Sequence, residues 1–149
     1  MMNESSTQAA VAARHRTLIV LWGAQLASIG LFALLTILIR NGAANTGNRG
    51  NAALTLTFTA LGAFVVIVSL LMKQKLVARA IEERSLQKLQ TAYVVAFAMC
   101  EVGALFGLVD FFITGNPYYY LLFVLGVAGL IINFPKRNDI LAAMQANRF

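Results

Sequence analysis

From Thr17 to Ile39 the chain runs for 23 residues without a charged side chain, flanked by Arg16 and Arg40. As a helix rising about 1.5 Å per residue, such a segment crosses the roughly 30 Å of a bilayer's hydrocarbon core. A helix is the required form, because lipid offers no partner to an unpaired backbone N–H or C=O. A cleaved secretory signal also starts with basic residues, but its apolar core is only about 7 to 15 residues long. The run is therefore expected to persist as an uncleaved first span.

Three further runs follow. Ala53 to Met72 supplies 20 uncharged residues, Thr91 to Thr114 is interrupted only by Glu101 and Asp110, and Tyr118 to Phe134 supplies 17 residues ahead of Pro135. Apolar and aromatic residues make up 59% of the 149 and charged ones 12%. That leaves too few polar side chains to coat a soluble globule and far too many apolar ones for a disordered chain. The expected fold is all-α, an integral membrane four-helix bundle. It forms a single membrane domain over residues 1–149 with spans at about 17–39, 53–72, 91–114 and 118–134.

The connections differ in kind. Arg40 to Asn51 is rich in Asn and Gly, which favour turns, and reads as an external loop. Lys73 to Gln90 contains no Gly or Pro, and Leu76, Val77, Ala80, Ile81, Leu86 and Leu89 recur among its charges at helical spacing. It predicts a helical hairpin connecting the second and third spans outside the bilayer, either a solvated connector or a docking surface for anionic lipid or a partner. Ile140, Leu141 and Met144 suggest a short interfacial helix in the tail.

Orientation follows from the cations. With the N-terminus inside, ten of the 12 Lys and Arg (Arg14, Arg16, Lys73, Lys75, Arg79, Arg84, Lys88, Lys136, Arg137, Arg148) lie on the cytoplasmic side, and only Arg40 and Arg49 lie outside. Both termini are expected in the cytoplasm, N-in and C-in, with the bacterial inner (cytoplasmic) membrane as the location. Tyr118, Tyr119 and Tyr120 then fall at the outer interface and Trp22 and Tyr93 towards the inner one, where amphipathic rings prefer to sit.

Few chemistries remain. Cys100 is the single cysteine and has no second soft ligand beside it, so disulfide, zinc and iron–sulfur sites are not expected. The net charge of +6 comes from residues at the edges of apolar runs rather than from a basic, aromatic-studded face, so no nucleic acid is expected. His15 could ligate a haem or chlorophyll, but no second His accompanies it. The absence of a phosphate-binding glycine loop or a nucleophile-and-base pair argues against an enzyme. No cofactor and no metal are expected.

Glu101 is the deepest ionisable residue and the leading candidate for binding a proton or ion. Low dielectric disfavours a bare carboxylate, so such a group tends to bind and release a proton. On a helical projection Ala96, Gly103 and Gly107 fall on one side, where the Gly-x-x-x-Gly pair admits a close neighbour. Glu101 shares the opposite face with Val94, Phe97, Leu105, Leu108 and Phe112, which points it towards lipid or a partner subunit. The bland alternative is a hydrogen bond to Gln25, Ser28 or Ser69. Asp110, the secondary polar candidate, lies within a turn of the outer surface, where water can reach it, so a solvated or capping role is expected. In the first span, Gly23, Ala27 and Gly30 form a second helix-packing stripe.

The stretch from Arg84 to Gln90, followed by Ala96 to Val109, resembles the carboxylate-bearing helix of the proteolipid c subunits of rotary ATPases. There a polar cytoplasmic loop with an Arg precedes a helix whose midpoint acid carries the proton. The resemblance covers about 25 residues and puts Glu101 in the carrier position. Here, however, the Glu lies in the third of four spans, and the family's glycine-repeat helix and Arg-Gln-Pro loop are missing. A looser similarity is to small multidrug-resistance transporters, four-span proteins whose membrane Glu lies in the first helix.

The first expectation is a small non-catalytic structural or accessory subunit of a larger membrane complex. Its partners would be the lipid bilayer and other membrane protein subunits, with a homo-oligomer as the other assembly. The second is a c-like proton carrier or small transporter using Glu101.

Overall fold

The computed structural model describes residues 4–42 and 51–145 and is all-helical among them. Helix α1 spans Glu4–Gly42, α2 Ala52–Glu82, α3 Leu86–Thr114, α4 Tyr120–Ile132 and α5 Arg137–Gln145, and a 3-10 turn at Pro117–Tyr119 leads into α4. The Asn- and Gly-rich loop expected from Arg40 to Asn51 is only partly visible: α1 continues to Gly42, and residues 43–50 lie outside the described residues.

The ends of the helices follow local chemistry. Asn51 caps α2 by accepting the Ala53 N–H at 3.1 Å, and Ser85 caps α3 by accepting the Lys88 N–H at 3.3 Å. Only Glu83, Arg84 and Ser85 separate α2 from α3. In that turn Arg84 adopts the left-handed conformation, φ 53°, and the Ser85 N–H reaches back to the Ala80 carbonyl at 2.9 Å. Such a C-terminal lock usually employs glycine, so the hairpin tolerates roughly 1 to 2 kcal/mol of backbone strain at Arg84.

Helix α3 is the axis of the fold. It packs on α1, α2 and α4, and 44% of its most apolar stretch is buried, against 17% for α2 and 11% for α1. Helices α2 and α3 meet where glycines face each other. A β-carbon on Gly62 would lie 3.2 Å from the Gly103 carbonyl oxygen, and one on Gly103 would lie 2.8 Å from a Val66 methyl. On the α4 side, a β-carbon on Gly126 would lie 3.1 Å from the Cys100 carbonyl oxygen, and one on Gly129 would lie 2.8 Å from its sulfur. The remaining core is aromatic and aliphatic: Tyr93, Phe97, Ile29, Leu89, Leu122 and Leu130 are each under 2% exposed.

The outer surface is apolar. Leu31, Leu38, Leu56, Phe64, Leu71, Val124 and Ile131 are all more than half exposed, an arrangement that fits lipid and not water. Helices α1, α2 and α3 are each long and apolar enough to cross a membrane. A fourth crossing exists only if the Pro117–Ile132 segment and α5 are taken together across a 47° bend.

The fourth run, expected as a span over 118–134, is helical over Pro117–Ile132 and only partly regular. The regular helix is 13 residues long. Its start is displaced by the turn that Asn116 caps and Pro117 opens. Its end precedes Pro135, which has no N–H to continue the ladder and disfavours helical geometry at Phe134.

Candidate functional site

Helix α3 presents a polar side chain to each neighbour in turn, and these side chains form the candidate sites. Nearest the middle, Glu101 is half-buried and accepts a short hydrogen bond from the Ser28 hydroxyl of α1. Its carboxylate is thus turned towards another helix of the same chain, and the expectation that it faces lipid or a partner subunit is corrected. The projection separated Glu101 from Gly103 and Gly107 as read. Those glycines face α2 and α4, leaving the Glu101 side of α3 for α1 to occupy.

Gln25, the other candidate partner on α1, has a buried Oε1 without a hydrogen bond. Removing the hydroxyl with Ser28→Ala is expected to destabilise the chain by about 0.6 to 1.7 kcal/mol, the range of interhelical hydrogen bonds in membranes. Glu101→Gln, which keeps an acceptor, should cost less. Denaturation in mixed micelles distinguishes the two, and an equal loss for both would mean that the carboxylate's charge, not its acceptor, holds α1.

Asp110 also differs from the sequence reading. It is 0% exposed, which removes the solvated half of the expected solvated or capping role. Its Oδ1 accepts hydrogen bonds from the hydroxyls of Thr55 (3.1 Å) and Thr114 (2.9 Å), while Oδ2 is buried without a partner. Asn116 extends the cluster: its amide Nδ2 donates to Thr55 Oγ1 at 3.1 Å and its backbone N–H to Thr114 Oγ1 at 3.1 Å. The physical reason is the connection that follows. Gly115 takes the left-handed conformation, φ 61°, and turns the chain so that Asn116 and the Pro117–Tyr119 turn close the end of the bundle. Buried Tyr119 stacks edge-on against Phe111 and Phe123 there, while Tyr118 and Tyr120 are exposed.

A third cluster lies between α2, α3 and the end of α4. The Asn133 amide Nδ2 donates to Ser69 Oγ and to Cys100 Sγ, both at 3.4 Å, and Asn133 Oδ1 has no partner. At the basic end of the bundle the Tyr93 hydroxyl donates to Asp139 Oδ2 at 2.5 Å and accepts from the Lys136 backbone N–H at 3.2 Å. Lys73 Nζ sits 4.5 Å from the centre of the Tyr93 ring. Nearby, the Trp22 indole N–H donates to the Leu130 carbonyl at 2.9 Å, and His15 Nε2 lies 3.3 Å from the Pro135 carbonyl oxygen. Both carbonyls belong to the end of α4 or the break after it, where the helix supplies no partner of its own.

The packing residues divide into two groups. Ala96, Gly103 and Gly107 are buried between helices. Gly23, Ala27 and Gly30 are not: Ala27 and Gly30 are exposed, and nothing lies within 4 Å of a β-carbon placed on Gly23 or Gly30. None of the described residues packs on that stripe.

The sequence reading missed Asn133, Ser69 and the Tyr93–Asp139 bond as members of clusters. Asn133 carried a signal, being a side-chain amide at the end of an otherwise apolar run. Among the described residues no three His, Cys, Asp or Glu converge, and Glu101 and Asp110 hydrogen-bond only to neutral groups. Compared with known protein families, curated proteins and solved structures, the chain matches none.

Proposed function

We propose that this protein is a small, non-catalytic subunit of a larger membrane assembly, with both termini cytoplasmic, and that it docks through α1. The observation that carries the reading is the open stripe of Gly23, Ala27 and Gly30. Small residues bring no advantage against lipid tails, but they let a second helix approach closely. Elsewhere in the bundle Gly62, Gly103, Gly107, Gly126 and Gly129 are all occupied in that way, and the α1 stripe is the same device without a partner among the described residues. The Glu101–Ser28 bond supports this reading over proton carriage, since it ties α1 to the bundle.

The reading predicts that the protein extracted gently from native membrane carries a second membrane protein, and that Gly23→Leu with Gly30→Leu releases it while the isolated variant melts like the parent chain. A solubilised parent chain running alone as a monomer, under conditions that preserve known complexes, overturns it. Selective, pH-dependent modification of Glu101 by a hydrophobic carbodiimide, together with proton flux lost in Glu101→Gln proteoliposomes, would favour the carrier instead.

A further inference from the structure

At the basic end of the bundle α2 passes the elbow between α4 and α5 and leaves a groove of roughly 450 Å3, a size typical of small-ligand sites. Leu70, Lys73, Gln74, Val77, Ala78 and Ile81 form the α2 wall, one face of the helix at spacings of three and four residues. Ile132, Asn133, Lys136 and Asp139 form the other wall. Two lysines therefore share one groove with a single carboxylate, and that carboxylate already accepts the Tyr93 hydroxyl. The site keeps a net positive charge. Asn133 closes the base of the same wall, with its amide donor already committed to Ser69 and Cys100, so the two lysines are the groups left to meet an anion.

We propose that this groove binds the phosphate headgroup of an anionic phospholipid, with Lys73 and Lys136 holding the phosphate and the acyl chains running along Leu70 and Ile132. Position favours a lipid over a soluble anion. Lys73 is the first charge after the uncharged run of α2, so the two cations stand where hydrocarbon gives way to headgroups. The wall on the hydrocarbon side is aliphatic, and Ile132 is 62% exposed. Basic pockets between membrane helices at that level suit phosphate-bearing lipids. The inference does not depend on the docking role of α1, since the groove lies on α2, α4 and α5.

The experiment measures phosphatidylglycerol bound by the full-length protein in neutral detergent, by native mass spectrometry and by the shift in melting temperature. Phosphatidylcholine and sodium phosphate serve as separate arms. Phosphatidylglycerol should bind and raise the melting temperature, and the other two should not. Lys73→Gln with Lys136→Gln should weaken binding roughly thirtyfold (about 2 kcal/mol). Lys75→Gln removes a charge from the same helix outside the groove and should bind like the parent. Should the double variant fail to fold, Lys136→Gln alone, at an exposed side chain, is expected to weaken binding about fivefold. Equal binding by the Lys75 and Lys136 variants would reduce the effect to diffuse charge and overturn the site. An equal shift with sodium phosphate would overturn the lipid assignment.

Discussion

Gly107→Leu is expected to abolish the folded bundle. A β-carbon at this position would lie 2.9 Å from Leu122 Cβ and 2.9 Å from the Tyr119 backbone oxygen, so relief requires the start of α4 to move. It has little room to do so, because Gly126 and Gly129 hold the same helix against Cys100 and Ala104 further along. Overpacking of this kind costs about 3 kcal/mol or more where the backbone is pinned, a large share of the roughly 5 to 15 kcal/mol that holds a domain together. Size-exclusion chromatography and thermal denaturation in detergent would register the loss as aggregated or unfolded protein. Gly23→Leu is the matched control. Nothing lies near that position, and a surface change of this sort should move stability by no more than about 0.5 kcal/mol. A Gly107 variant that melts with the parent would mean that α3 and α4 do not approach this closely.

Asp110→Ala is expected to cost about 2 to 3 kcal/mol. The substitution removes a carboxylate oxygen that accepts from the Thr55 and Thr114 hydroxyls; Thr114 keeps the Asp110 backbone carbonyl and Thr55 keeps Thr114 Oγ1 as acceptors, so the cost is that of two bonds to a carboxylate. Asp110→Asn retains an oxygen in place of Oδ1 and should cost less than half as much. Combining Asp110→Ala with Thr55→Val should recover about 1 kcal/mol of coupling, since the second change removes a donor whose carboxylate acceptor the first has already taken away. Denaturation curves for the three variants and the double variant test this directly. Strict additivity of the alanine and valine changes would mean that the Thr55–Asp110 bond contributes nothing.

The long helices were legible because their determinants are local. Arg16 and Arg40 bracket the uncharged run of α1, and Asn51 and Ser85 supply caps that the backbone uses. The faces of α3 were legible in part. Helical periodicity put Gly103 and Gly107 opposite Glu101, but periodicity is a property of one helix and cannot assign a neighbour to each face. Which side α1 took depended on Trp22 and Ser28 finding partners 108 and 73 residues away.

Asp110 was misread for a similar reason. Its place near a helix end suggested water, whereas its burial is decided by Thr55 on another helix and by the turn after Gly115. The α1 stripe was visible as small residues, yet only three-dimensional packing could reveal that none of the described residues fills it.

The brevity of α4 has a consequence for the lipid around it. Thirteen residues of helix measure about 20 Å, roughly 10 Å less than a hydrocarbon core, so a crossing here needs α5 to continue it across the 47° bend. Each ångström of such mismatch costs a fraction of a kcal/mol, so a bilayer that met α4 alone would have to thin on that side, whereas one that met the bent pair would not. The elbow between α4 and α5 thus decides whether the molecule sits in the bilayer as an even plug or as a lopsided inclusion.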